Sequence, residues 1–188
     1  MAIKVRPIEP PPEPPSAPTS LPWNATRIAR LAFTLALAWW GRSLYHNWPD
    51  ANNSITHAII LPIHETGHMV FMAFGEMLHA AGGSIFQILF PLIFVGYFLR
   101  RGDRWAATIP LWFAGVSAVD IVGYIKDAPI GEMELIGGEH DWSYILGETR
   151  WMHASAKIGD AVLHFGGFLM LAALVLGIWW HARPAPER

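Results

Sequence analysis

The chain lacks cysteine and carries little charge, and both absences narrow its possible functions. Without cysteine the protein has no disulfide, no thiolate ligand for a metal ion and no cysteine nucleophile. The formal net charge is −2 at pH 7, which gives no basis for a nucleic-acid partner. Only 15% of the 188 residues are charged, which is atypical of a soluble domain. The sequence also has no internal repeat and no heptad pattern.

Long apolar runs are the main structural signal in this chain, which is 53% hydrophobic and contains ten tryptophans. Such a composition is typical of an integral membrane protein. We expect an all-α fold, a polytopic membrane helix bundle of about four to five transmembrane helices. We expect it to be a multi-pass protein of the bacterial cytoplasmic membrane, with the lipid bilayer as its partner. The predicted spans are residues 28–45, 55–78, a third run that ends at 99, 105–125 and 158–180.

The two ends of the chain differ from the membrane-embedded helical domain, which is predicted to cover residues 23–182. Residues 1–22 hold eight of the fifteen prolines, so they are predicted to be a disordered, proline-rich tail. Residues 183–188 are predicted to be a short polar tail.

The segment His64-Glu65-Thr66-Gly67-His68 reads H-E-x-x-H and lies within one of the apolar runs. Residues four apart share one face of a helix, so His64 and His68 can bind one metal ion together. Glu65 can act as the general base on a water molecule at that ion. Ionisable residues are costly in a membrane helix unless they serve a site, which favours metal binding over an incidental motif. With no thiolate available, the site suits Zn²⁺, and iron or manganese stays open.

A catalytic zinc usually has three protein ligands, so the third must come from another segment. Asp141 is the first candidate, because it lies in an interfacial segment that can fold back towards the bundle. It can equally be the N-cap of a helix that follows it. The alternatives are His140 beside it and Asp120 within the fourth span, whereas Asp127 is more easily a solvated charge.

The third apolar run begins with two glycines and contains one amide. Gly82 and Gly83 indicate either a tight turn or a close approach of two helices, and a re-entrant element here would lower the number of spans. Gln87 is a candidate for positioning the carbonyl group of a substrate. An interhelical hydrogen bond is the commoner role of such a residue.

Taken together, these residues resemble the site-2 protease family of intramembrane zinc metallopeptidases. The match to the H-E-x-G-H helix of that family includes Gly67, and Gly82-Gly83-Ser84 to Gln87 is similar to the segment that follows its zinc helix. The family completes its zinc site with a distant aspartate, usually in a Leu-Asp-Gly context. This chain has Gly137-Gly138-Glu139-His140-Asp141-Trp142 instead, so Asp141 corresponds to that aspartate by role only.

The resemblance implies a zinc-dependent peptidase that hydrolyses peptide bonds in membrane-spanning or membrane-associated protein substrates. Zinc would be bound by His64, His68 and Asp141, and Glu65 would be the catalytic base. The main alternative is a non-proteolytic metal-binding membrane protein, either a degenerate relative or an accessory subunit. A di-iron oxidase would need several histidine boxes, and this chain has one. A purely structural membrane protein is the remaining alternative.

Overall fold

A computed structural model describes residues 25–49, 54–133 and 140–181, so the two predicted tails lie outside the described residues. The described residues contain helices and turns and no β-strand, which confirms the all-α prediction. The helices are α1 (Ala25–His46), α2 (Ile55–Phe71), α3 (Glu76–Arg100), α4 (Arg104–Asp127), α5 (Asp141–Glu148) and α6 (Ser155–His181), with short 3-10 helices at Met72–Phe74 and Met152–Ala154.

Three helices in the described part of the chain are long and apolar enough to cross a membrane. They are α3, α4 and the segment Met152–His181, which contains α6. Both α1 and α2 are helical as predicted, but α2 has only 17 residues. A span perpendicular to the bilayer needs about 20. The fold is therefore consistent with a membrane protein, and the number of four to five spans stays a prediction.

The break between the second and third helices lies at Gly75, which corrects the prediction of one helix over residues 55–78. α2 ends at Phe71 and a 3-10 helix follows it. Gly75 then has a φ of 94° and a ψ of 164°, a conformation that is almost restricted to glycine. α3 continues without interruption through Gly82 and Gly83, so these glycines form neither a turn nor a re-entrant element.

α4 forms the centre of the bundle, where it packs against α3 on one side and α6 on the other. In the most apolar stretch of α4, 72% is buried, against 28% in the corresponding stretch of α3 and 28% in that of the Met152–His181 segment. Val119 and Val122 of α4 lie in the core with Leu163 of α6. The outer helices therefore keep exposed apolar faces, as helices in contact with lipid do.

Two pairs of glycines mark close approaches between helices. A Cβ atom on Gly82 of α3 would lie 2.7 Å from the carbonyl oxygen of Gly67 of α2. A Cβ atom on Gly166 of α6 would lie 2.7 Å from the carbonyl oxygen of Gly115 of α4. Small residues at such crossings let two backbones come together, which is a common packing device of membrane helices.

α5 folds back onto the bundle in the connection between α4 and α6. Trp142 Nε1 donates a hydrogen bond of 3.1 Å to Ser84 Oγ of α3. Ser143 Oγ donates a bond of 2.7 Å to the carbonyl oxygen of Ala128, just after α4. Leu146 is 2% exposed. These contacts bring the amino-terminal end of α5 next to the H-E-x-x-H motif of α2.

Candidate metal centre

Three ligand atoms from two distant segments converge at the carboxyl-terminal half of α2. His64 and His68 lie one helical turn apart, and both direct Nε2 towards Asp141 of α5. Asp141 Oδ2 lies 3.4 Å from His64 Nε2 and 3.3 Å from His68 Nε2. The three side chains are 12%, 14% and 18% exposed, so the site is partly screened from its surroundings. Of the three sequence candidates for a third ligand, Asp141 is the one that lies at both histidines.

The orientation of His64 is determined by a buried amide. Gln87 is 1% exposed, and its Nε2 donates a hydrogen bond of 2.7 Å to the carbonyl oxygen of Ser117. A carbonyl oxygen can only accept, so the other end of the amide must be the Oε1 acceptor. That oxygen lies 2.5 Å from His64 Nδ1. His64 Nδ1 therefore carries the proton, and in the neutral ring Nε2 presents a lone pair towards Asp141.

His68 is oriented in the same way by the backbone. Its Nδ1 lies 2.8 Å from the carbonyl oxygen of His79, near the start of α3. The carbonyl accepts, so Nδ1 donates and Nε2 of the neutral ring again offers a lone pair. An oxygen acceptor on the second nitrogen is the usual support of a metal-binding histidine, because it selects the tautomer and holds the ring in place.

The charge balance of the cluster favours a cation between these atoms. Burial raises the pKa of the Asp141 carboxyl, but hydrogen bonds from the two adjoining histidines and their positive charge when protonated lower it by more, to about 2. The carboxylate is thus ionised at neutral pH. When both histidines are neutral, their two Nε2 lone pairs and the anionic oxygen repel one another unless a positive charge, such as a proton or a metal ion, lies among them. The cluster can therefore hold a metal ion.

Space for the His64 ring is provided by Gly83 of α3. A Cβ atom at this position would clash with the imidazole, because it would lie too close to Nε2 and to the two ring carbons bonded to Nε2. Any larger residue at position 83 would push the ring out of the ligand position. Within the Gly82-Gly83 pair, Gly83 thus has a specific role, because only glycine leaves room for the His64 ring.

Glu65 completes the motif from the exposed side. The ligand atoms of Glu65, His64 and His68 all lie within 4.8 Å of one another. As a whole residue, Glu65 is more exposed than His64 and His68. A carboxylate in this position can exchange protons with a water molecule near the ion and with solvent.

The structure assigns other partners to the two remaining ligand candidates. Asp120 pairs with His57, whose Nδ1 lies 3.0 Å from Asp120 Oδ1 and 3.2 Å from Oδ2. His140 is the N-cap of α5, with Nδ1 accepting a hydrogen bond from Ser143 N. Asp141 is consequently the first residue of α5 rather than its N-cap. For Gln87, both ends of the amide are used within the protein, and a role towards a substrate stays a prediction.

Sequence reasoning gave no role to Ser117 and Tyr124, and it treated Asp127 as a solvated charge. The polar residues of α4 recur every three or four positions, at Ser117, Asp120, Tyr124 and Asp127, and so lie along one face of that helix. Within an apolar span, this spacing is a readable signal of a polar contact surface. Asp127 is in fact buried at 9% exposure.

No protein-family model, no curated protein and no solved structure matches this chain. The resemblance to site-2 proteases therefore rests on the sequence motif and stays a prediction.

Proposed function

We propose that this protein is a zinc-dependent intramembrane peptidase. Its metal ligands are His64, His68 and Asp141, and Glu65 is its general acid and base. The observation that carries the proposal is the contact of Asp141 Oδ2 with both histidine Nε2 atoms, at 3.4 and 3.3 Å. Ligand atoms about 2.0–2.1 Å from a tetrahedral zinc ion lie about 3.3–3.4 Å from each other. The separations fit such a site.

The composition of the ligand set supports zinc and catalysis. Two imidazoles and one carboxylate are a ligand set that catalytic zinc uses in peptidases, and it leaves a fourth position for water or substrate. Structural zinc sites are instead closed by four protein ligands, commonly with thiolates, and this chain has no cysteine. Both histidines also have the oxygen acceptors at Nδ1 that zinc ligands usually have.

Each residue of the centre has a distinct task in peptide hydrolysis. A zinc ion held by His64, His68 and Asp141 would supply Lewis acidity, which would make water more acidic and a peptide carbonyl more electrophilic. Glu65 accepts a proton from the attacking water and later donates it to the leaving amine. Gln87 and the His79 carbonyl keep the two imidazoles in the ligand tautomer.

The setting of the site supports membrane proteins as the substrate class. α2 and α3, which build the centre, expose large apolar side chains such as Ile59, Met69, Ile85 and Ile93. A membrane-spanning helix hides its carbonyl groups in its own hydrogen bonds. We therefore expect cleavage of substrate segments that unwind locally or that leave the helix near the membrane surface.

The test compares cells that produce the wild type with cells that produce Glu65→Gln. Newly formed protein amino termini in isolated membranes are identified by mass spectrometry, and zinc in the purified protein is measured by elemental analysis. We expect a set of cleavage products that needs Glu65, together with one zinc per chain in both proteins. Glu148→Gln is the matched control, because this glutamate is exposed at the end of α5 and outside the cluster.

Two results would argue against the proposal. If the wild type and Glu65→Gln bind zinc but give the same amino termini, the protein is a non-proteolytic metal-binding membrane protein. If the purified wild type does not retain zinc in the presence of equimolar metal, the cluster is not a zinc site.

A further inference from the structure

Asp127, at the carboxyl-terminal end of α4, contacts residues that lie immediately before and immediately after the segment 134–139. Asp127 Oδ1 accepts a hydrogen bond of 3.1 Å from Glu132 N, and Oδ2 accepts one of 3.0 Å from Met133 N. His140 Nε2 lies 3.3 Å from the same Oδ2. The buried Asp127 carboxylate therefore links Glu132 and Met133, before this segment, to His140, after it.

His140 is fixed through both ring nitrogens and one ring face. Its Nδ1 accepts a hydrogen bond of 3.2 Å from Ser143 N, which makes it the N-cap of α5. Nε2 must then carry the proton of the neutral ring, and this proton is donated to Asp127. The ring is stacked on Tyr124, with 4.2 Å between centroids and 14° between planes. Neither nitrogen is left over for a metal ion.

These contacts matter for the metal centre because Asp141 follows His140 directly. α5 has eight residues, and a helix this short has little stability of its own. The direction of its first turn must therefore come from tertiary contacts. The contact of His140 with Asp127 and the bond from Ser143 Oγ to Ala128 O tie that first turn to the end of α4.

We propose that Asp127 and His140 are positioning residues that hold Asp141 in the ligand position. The two residues act through the backbone of α5 and do not touch the metal ion. This inference rests on the metal site of the proposed function, but not on proteolysis. Loss of either residue should free the amino terminus of α5, so that the Asp141 carboxylate reaches the two histidines in fewer molecules.

The experiment measures zinc affinity of the detergent-solubilised full chain by competition with a chromophoric chelator. For Asp127→Ala and His140→Ala we expect affinity to fall about tenfold to 100-fold, the usual effect of removing a group that orients a metal ligand. His140→Asn should recover part of the loss, because asparagine is a good N-cap. Asp103→Ala is the control, since Asp103 caps the opposite end of α4 through Ala106 N and should leave zinc affinity unchanged.

The visible absorption of the Co²⁺-substituted protein is a second measurement. It reports the geometry of the metal site and does not change when the fold as a whole is only less stable. Tetrahedral Co²⁺ absorbs visible light strongly, and we expect Asp127→Ala to weaken this absorption at saturating metal, whereas Asp103→Ala should not. If Asp127→Ala and His140→Ala both have the zinc affinity and the cobalt absorption of the wild type, the inference is wrong. The proposed metal site itself would not be contradicted. A wild type that binds neither metal would instead overturn the proposed function and this inference together.

Discussion

The two glycine crossings of this protein use the same packing device for different purposes. At the crossing of α4 and α6, Gly115 and Gly166 bring two apolar helices together and the surroundings are core residues such as Val119 and Met170. At the crossing of α2 and α3, Gly67 and Gly82 lie against Phe86 and Phe71, but the same two helices also carry the polar contacts of His64 and His68. The first crossing builds the core, and the second builds the candidate metal site.

The difference between the crossings lies in what flanks the glycines. Around the α2–α3 crossing, His64 and His68 of α2 meet Gln87 and the His79 carbonyl of α3. These polar groups are satisfied by one another, so their burial costs little once the site is formed. Close backbone approach thus creates a candidate metal site only where the sequence also places histidines and their hydrogen-bond acceptors on the facing turns.

The largest effect on metal binding is expected for His68→Ala, which removes one of the three proposed protein ligands. If the total zinc affinity is on the order of 10 kcal/mol or more, the loss of one ligand weakens binding at least about 100-fold. Zinc affinity is measured by chelator competition. His153→Ala is the control, because this histidine is exposed in the 3-10 helix Met152–Ala154 and outside the cluster, so zinc should bind as in the wild type. Stoichiometric, tight zinc in His68→Ala would contradict the assigned ligand set.

A second prediction concerns the buried amide. Gln87→Met keeps the approximate volume but removes the acceptor for His64 Nδ1, so zinc affinity should fall about tenfold to 100-fold. Ser117→Ala is the matched control. Gln87 bonds to the backbone oxygen of Ser117, and the Ser117 hydroxyl is buried without a hydrogen-bond partner in the described part of the chain. Equal affinities for the two variants would show that the amide does not orient the ligand.

A third prediction compares the crossings directly, through Gly82→Ala and Gly166→Ala. Each added Cβ would lie 2.7 Å from a backbone carbonyl oxygen of the facing helix. Overpacking of this kind costs about 1–3 kcal/mol, and we expect both variants to unfold at lower temperature in detergent. Only Gly82→Ala should also weaken zinc binding, because it separates the helices that carry the ligands and their acceptors. If both variants lose zinc to the same degree, the crossings do not have separate roles.

The smallest effect is expected for Gly96→Ala. Apart from its chain neighbours and the backbone of α3 itself, no atom of the described residues lies within 4 Å of a Cβ built at this position of α3. Alanine is favoured over glycine in a helix by about 1 kcal/mol or less, so the unfolding temperature should rise slightly. Zinc affinity should be the same as in the wild type. A marked loss of stability would mean that Gly96 packs against a surface outside the described residues, such as a second protein.

Most of the helical fold was predictable from hydrophobic runs, and the predictions failed where one residue decides the path of the chain. Each of α1, α4 and α6 lies within three residues of its predicted ends, because apolar length and turn residues are local properties. The break at Gly75 was missed, because a single glycine within a long apolar run carries no periodic signal. Its positive φ is visible only in the folded chain.

The local half of the candidate site was equally readable. His64, Glu65 and His68 are brought together by the helix itself, because residues four apart share a face whatever the rest of the fold does. The two histidines could thus be paired from their spacing alone. The spacing could not decide between Asp141 and Asp120 as the third ligand. Each lies more than fifty residues after His68, and its distance from the histidines in the folded chain is set by helix packing.

The sequence by itself determined an apolar helical chain, a two-histidine half-site and a set of ligands without thiolates, because these follow from composition and helix period. Only the tertiary structure decided that Asp141 meets both histidines while Asp120 pairs with His57. It also decided that Gln87 serves His64 and that Asp127 holds His140. These contacts join residues on different helices, so they depend on how the helices cross, which no local pattern specifies.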